Sequence, residues 1–198
     1  MTVRVVLALA LASVLAFPSL RSWERRADEA ALAGIAGSIA GREVEIDCPG
    51  TFEDLTAVSP HDGTVEFGPG RRPADRAELS GGTCDHLRRL RRGEIDLGCL
   101  AAGASCPRDV ERAAVAVNVL AHESFHLAGE REEWLAQCHA LQANSDVALR
   151  LGASPEEARG VAEFVLEHVQ PALPADYQSP SCHDGGPLDL HPERLDWP

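Results

Sequence analysis

Residues 119–138 read VLAHESFHLAGEREEWLAQC, and within them His122 and His126 stand four apart with Glu123 after the first. On a helix, that spacing sets the two histidines about 40° apart around the axis and about 6 Å along it. Both rings can then converge on one ion, which zinc accepts at about 2.0–2.1 Å from each nitrogen. Glu123 lies about 100° further round, beside such an ion but not bound to it. A bound metal lowers the pKa of a water from about 15.7 to around 7. A carboxylate at that place can take the proton and later pass it to a leaving group. The chemistry indicated is metal-assisted hydrolysis of an amide, with Glu123 as general base.

Two histidines do not complete a catalytic zinc site, which uses three protein ligands. On an unbroken helix, residue 133 would lie about 16 Å along the axis from His122 and could not reach the same ion. The chain must turn back, and Gly129 is the residue that permits a left-handed turn. Glu130, Glu132 and Glu133 then compete. Glu130 falls in the turn itself. Glu132 has the spacing at which metzincins carry their third ligand. Glu133 fits a glutamate at the start of a returning helix, the gluzincin arrangement, and is preferred, with Glu132 second.

The surrounding pattern supplies the helices this geometry needs. From Pro107, which suits a helix start, Val110 to Ala128 contains no breaker, and Gly129 ends it. A second helix is expected from about Glu130 to Leu151, stopped by Gly152. Ser154-Pro155-Glu156-Glu157 is a capping box that starts a third, ending before Pro171. Upstream, residues 22–40 show helical spacing of Leu32, Ile35 and Ile39, and Asp85 to Arg92 suits a short helix. Residues 43–47 and 64–67 alternate polar and apolar, as half-buried strands do. Two such strands suggest a small antiparallel sheet. Residues 68–82, rich in Gly, Pro and Arg, read as loop, and the proline-rich tail from Ala172 reads as an extended segment laid over the domain. The expected fold is α+β, mostly helical: the His-Glu-x-x-His helix packed on a returning helix, with a small antiparallel sheet and disulfides.

At 198 residues the chain can bury a core, and 44% hydrophobic with 25% charged residues is a globular profile. All 18 basic residues are arginine, and the net charge is -13. That charge argues against a nucleic-acid partner, which needs clustered cations. The one basic run, Arg88-Arg89-Leu90-Arg91-Arg92, reads as a solvated helix face. Val5 to Leu20 is an almost unbroken apolar run with arginines on both sides, a signal peptide or a short N-terminal membrane anchor. Six cysteines without a Cys-x-x-Cys pair read as disulfides of an extracytoplasmic protein. Cys99 and Cys106 can close a short loop. The pairing expected for the rest is Cys48 with Cys84 and Cys138 with Cys182.

The stretch His-Glu-x-x-His-Leu-x-Gly followed by an acidic residue and Glu-x-x-x-x-Cys resembles a group of exported or membrane-anchored actinobacterial proteins. The segments 48-CPG-50, 72-RPADRAELSGGTC-84 and 180-PSCHDGGPLDLHP-192 share the resemblance, which covers most of the chain beyond the N-terminal helix. More widely, the chain resembles zincin-type, gluzincin-like zinc metallopeptidases. The resemblance implies Zn2+ held by His122, His126 and Glu133, with Glu123 as base. The organisation expected is a signal peptide or N-terminal membrane anchor over 1–21, a stalk or first helix over 22–41, and a zincin-like domain with its extended tail over 42–198. Trp134 and Gln137 depart from the resemblance, standing where a small and an acidic residue are expected. Gln137 is therefore expected to fail as the outer acceptor that a ligand histidine needs.

Asn118 sits one turn before His122 and could back a ligand, though a plain helix polar residue is the commoner case. His183, His191 and the sole tyrosine, Tyr177, lie on the tail and could reach over the cleft as transition-state donors. Ser124 has no partner that would make it a nucleophile. His61, His86, His139 and His168 belong to no motif. Two function classes follow. One is an extracytoplasmic zinc hydrolase acting on a protein or peptide. The other is a zinc-stabilised, non-catalytic cell-surface binding domain.

Overall fold

The computed structural model describes residues 23–49, 62–194 and 197. The expected signal or anchor lies outside them, and no described helix is long and apolar enough to cross a membrane. Helix α1 spans residues 23–40 and buries Leu32, Ile35 and Ala36 at the spacing that marked it in the sequence. Three strands follow: β1 (Glu45–Asp47), β2 (Gly63–Phe67) and β3 (Pro73–Leu79).

The sheet order is β1-β3-β2, with β1 parallel and β2 antiparallel to β3. The expected two-stranded antiparallel sheet is thus corrected to a mixed one of three strands. The strand assigned to loop is the central one. Its sequence, PADRAEL, holds no β-branched or aromatic residue, so intrinsic preference gives no signal. Pairing on both sides makes the strand: Ala77 faces Ile46 on one side and Val65 on the other, and Ala77 and Leu79 are buried.

Helix α2 (Gly81–Arg91) begins four residues before the expected Asp85, because Ser80 caps it by accepting from the Thr83 N–H at 3.1 Å. Its arginine run is neutralised within the fold. Arg88 pairs with Asp85, Arg89 with Asp109, and Arg91 and Arg92 with the buried Asp28 of α1. A short α3 (Gly98–Ala101) opens the loop closed by Cys99–Cys106.

Helix α4 (Arg108–Ala128) is the spine of the molecule, packed against α2, β2, β3 and the returning α5 (Glu133–Arg150). Val117, Leu120 and Leu127 of α4 and Leu141 and Val147 of α5 form the middle of the core. Helix α6 (Pro155–Phe164) carries both halves of the capping box and continues through a π-helical turn over Val165–Val169. Two 3-10 turns follow, at Gln170–Ala172 and Ala175–Tyr177, as the tail crosses the molecule. The expected pairings are found: Cys48–Cys84 and Cys138–Cys182 join Cys99–Cys106. Cys138–Cys182 pins the tail to α5 across 44 residues, a closure that stabilises by about 4 kcal/mol through the unfolded chain. Gln142 of α5 adds two ties, donating to the Leu188 carbonyl at 2.9 Å and accepting from the Leu190 N–H at 2.7 Å.

Candidate metal centre

His122 and His126 lie one turn apart near the end of α4, both buried, with their Nε2 atoms 2.9 Å apart. The helix stops just beyond them at Gly129, whose φ of 112° suits glycine alone. The Gly129 N–H bonds the His126 carbonyl (2.9 Å) and the Glu130 N–H bonds the Phe125 carbonyl (3.1 Å), a Schellman closure. Arg42 donates to the Leu127 carbonyl from Nε (3.2 Å) and Nη2 (3.0 Å), placing a cation on the negative end of the helix. The chain turns back within three residues, and Glu133 becomes the first residue of α5. Its Oε2 is 3.0 Å from His122 Nε2 and 3.4 Å from His126 Nε2. Glu132 is the exposed N-cap residue of α5, so the turn brings Glu133, not Glu132, to the histidines.

His122, His126 and Glu133 could hold a metal ion. An ion about 2.0–2.1 Å from each of three atoms at tetrahedral angles would set those atoms about 3.3 Å apart. The three observed separations, 2.9, 3.0 and 3.4 Å, are close to that. The outer nitrogens fix the tautomers. His122 Nδ1 faces the Gln137 side-chain oxygen at 3.1 Å, and His126 Nδ1 faces the Glu130 carbonyl at 2.7 Å. Neither oxygen can donate, so both Nδ1 atoms carry the proton and both Nε2 lone pairs point at one place. Two nitrogens and a carboxylate about 3 Å apart suit a cation between them. A proton can fill the same place. Burial works against charging His126, yet Glu133 and the Glu130 carbonyl outweigh it and raise its pKa. With a proton on Nε2 in place of a metal, hydrogen bonds from His122 and His126 hold the Glu133 carboxyl well below the usual carboxylate range. Gln137, expected to fail as outer acceptor, is the acceptor. An amide oxygen serves His122 as well as a carboxylate oxygen would for fixing the tautomer.

Glu123 projects from the same turn and is 4% exposed. Its Oε2 is buried without a hydrogen-bond partner among the described residues. Burial raises its pKa to about 7, with His126 opposing and Glu133 adding to the shift. Strand β2 covers it. A Cβ at Gly63 would stand 2.7 Å from both Cγ and Oε1 of Glu123, so only glycine leaves room for this carboxyl. At the other end of β2, Phe67 meets the His126 ring edge-on at 6.1 Å, and Arg131 lies over Phe67 at 5.6 Å.

The tail contributes Tyr177 but neither tail histidine. Tyr177 stacks on the His122 ring, with centroids 5.4 Å apart and planes at 22°. Burial, the Glu133 charge and a hydrogen bond with Glu133 push its pKa up to about 12. His183 and His191 are exposed and have local partners, the Asp184 carbonyl and Glu193. Asn118 does stand behind the site, bonded to Gln137 and Asn144. Ser124 donates to the Leu120 carbonyl, and His139 pairs with Glu130 at 2.6 Å. Gly63, Phe67 and Gln170, which accepts from Gln137 at 2.9 Å, carried no signal in the sequence that tied them to the site. They lie dozens of residues from it along the chain.

Compared with protein-family profiles, characterised proteins and solved structures, the chain matches none.

Proposed function

We propose that this protein is an extracytoplasmic zinc-dependent hydrolase that cleaves peptide bonds, with Glu123 as general base. Two imidazoles and one carboxylate, with a fourth position open, are a donor set that catalytic zinc sites use. A zinc ion there supplies a Lewis acid that activates water at neutral pH.

The observation that carries the reading is Glu123. A structural zinc site is usually closed by four protein ligands and has no use for a base. Here three ligand side chains stand beside a fourth, buried carboxyl with an unpartnered oxygen and a pKa near 7. A group with that pKa can accept a proton and return it at neutral pH. Leaving such a carboxyl unpaired costs stability, which a purely structural zinc domain would not retain. Strand β2 supports a peptide as substrate. It runs beside the site from Glu123 to His126, and its outer edge has no strand partner among the described residues. Such an edge offers main-chain groups to an extended chain. Three disulfides support an oxidising compartment.

The test is Glu123→Gln in the zinc-loaded protein, assayed on a mixed peptide library. The proposal expects zinc content unchanged and cleavage reduced by about 10²-fold or more. Cleavage at the wild-type rate would remove Glu123 from the reaction. Zinc binding with no cleavage of any peptide by the wild type would favour the non-catalytic binding domain.

A further inference from the structure

A chain of side-chain amides runs behind His122 and ends on the tail. Gln170 Nε2 lies 3.2 Å from the Tyr177 main-chain carbonyl. Gln137 Nε2 lies 2.9 Å from Gln170 Oε1. Gln137 Oε1 lies 3.1 Å from His122 Nδ1.

The direction of this chain is set from its far end. A main-chain carbonyl can only accept, so Gln170 must turn its NH2 toward Tyr177. That leaves Gln170 Oε1 facing Gln137, which must present its own NH2 there. Gln137 Oε1 is then the atom left for His122, and it can only accept. Asn118 and Asn144 also bond into this cluster, but they cannot set its polarity. Both are amides and can turn over together with Gln137. Only the Tyr177 carbonyl is unable to reverse.

We propose that Gln170 is a positioning residue of the metal centre: it orients Gln137 so that His122 keeps its proton on Nδ1 and presents a bare Nε2 to the ion. The inference deepens the zinc reading and rests on it. It also explains how a glutamine does the work of a carboxylate behind His122. The relay fixes the tautomer without adding negative charge to a buried cluster that already contains Glu123 and Glu133. Tyr177 then acts on both sides of His122, ending the relay with its carbonyl and stacking on the ring with its side chain.

The experiment compares wild type, Gln170→Glu and Gln170→Met in the oxidised full chain, with thermal melts to establish folding. Zinc affinity is measured by competition with a chelator. The His122 tautomer is read in metal-free protein at about pH 8.5 from long-range proton–nitrogen NMR correlations. A carboxylate at 170 still accepts from Gln137 although it gives up the donor to the Tyr177 carbonyl, so Gln170→Glu should keep the Nδ1–H tautomer of His122. Methionine fills the space without accepting. Gln170→Met should show a mixture of His122 tautomers and a zinc Kd weaker by about 10–100-fold. If Gln170→Met matches wild type in both readouts, or Gln170→Glu shows as much mixing of His122 tautomers as Gln170→Met, the relay is refuted and Gln170 only packs the tail. A wild type that binds no zinc refutes the proposed function, while its His122 tautomer still decides the relay.

Discussion

Glu123 should make the metal-free protein lose stability as pH rises, and Glu123→Gln should remove that loss. Burial raises the carboxyl to about 7 in the folded chain, against an ordinary value of 4.5. Between those values the folded protein holds a proton that the unfolded chain has released. Stability contributed by this group is therefore fully present below about pH 4.5 and is lost as pH climbs through the window to about 7. At about 1.4 kcal/mol per pH unit, the loss comes to about 3 kcal/mol by pH 8. The glutamine of the variant has no proton to lose. Its intrinsic difference from a neutral glutamic acid appears equally at every pH and cancels when one pH is compared with another. The assay is chemical denaturation of metal-free wild type and Glu123→Gln, disulfides intact, at about pH 4 and pH 8. The variant should gain about 3 kcal/mol relative to wild type between the two. A relative gain below about 0.5 kcal/mol would mean that Glu123 ionises as an ordinary surface carboxyl, and the poised-base argument would fail with it.

Other residues give sharper local tests. Gly63→Ala would place a methyl 2.7 Å from the Glu123 carboxyl, so Glu123 must move by roughly 1 Å. A displacement of that size lowers turnover by about 10²-fold, while zinc content measured by atomic emission stays at the wild-type level. Gly129→Ala forces a side chain onto φ 112° and should cost about 1–2 kcal/mol in a thermal melt. Because the same turn delivers Glu133, that variant should also bind zinc more weakly than Gly152→Ala, a strained substitution of similar φ at the far end of α5.

The helices were legible because their ends are written in residues of strong local effect. Gly129 and Gly152 take left-handed conformations, and Ser154 with Glu157 closes a capping box. The cluster of His122, His126 and Glu133 was legible for the same reason. His122 and His126 share a helix face, and a glycine stop forces the return that presents Glu133. Strand β3 was not legible, since Pro73 to Leu79 becomes a strand only by pairing on both sides. The start of α2 was hidden by Gly81 and Gly82, which read as loop although Ser80 caps a helix there. Gln137 was misjudged because its residue type was weighed without its neighbours. Its orientation is dictated by Gln170 and the Tyr177 carbonyl, which the fold brings from more than 30 residues away.

The proposed function stands on a zinc site formed by His122, His126 and Glu133. The direct measurement is zinc content of the purified, oxidised protein, with Glu133→Gln and Glu132→Gln beside it. Near one zinc per chain is expected in wild type and in Glu132→Gln, and little in Glu133→Gln. A folded wild type that takes up no zinc, or a Glu133→Gln variant that holds it as tightly as wild type, would contradict the zinc site.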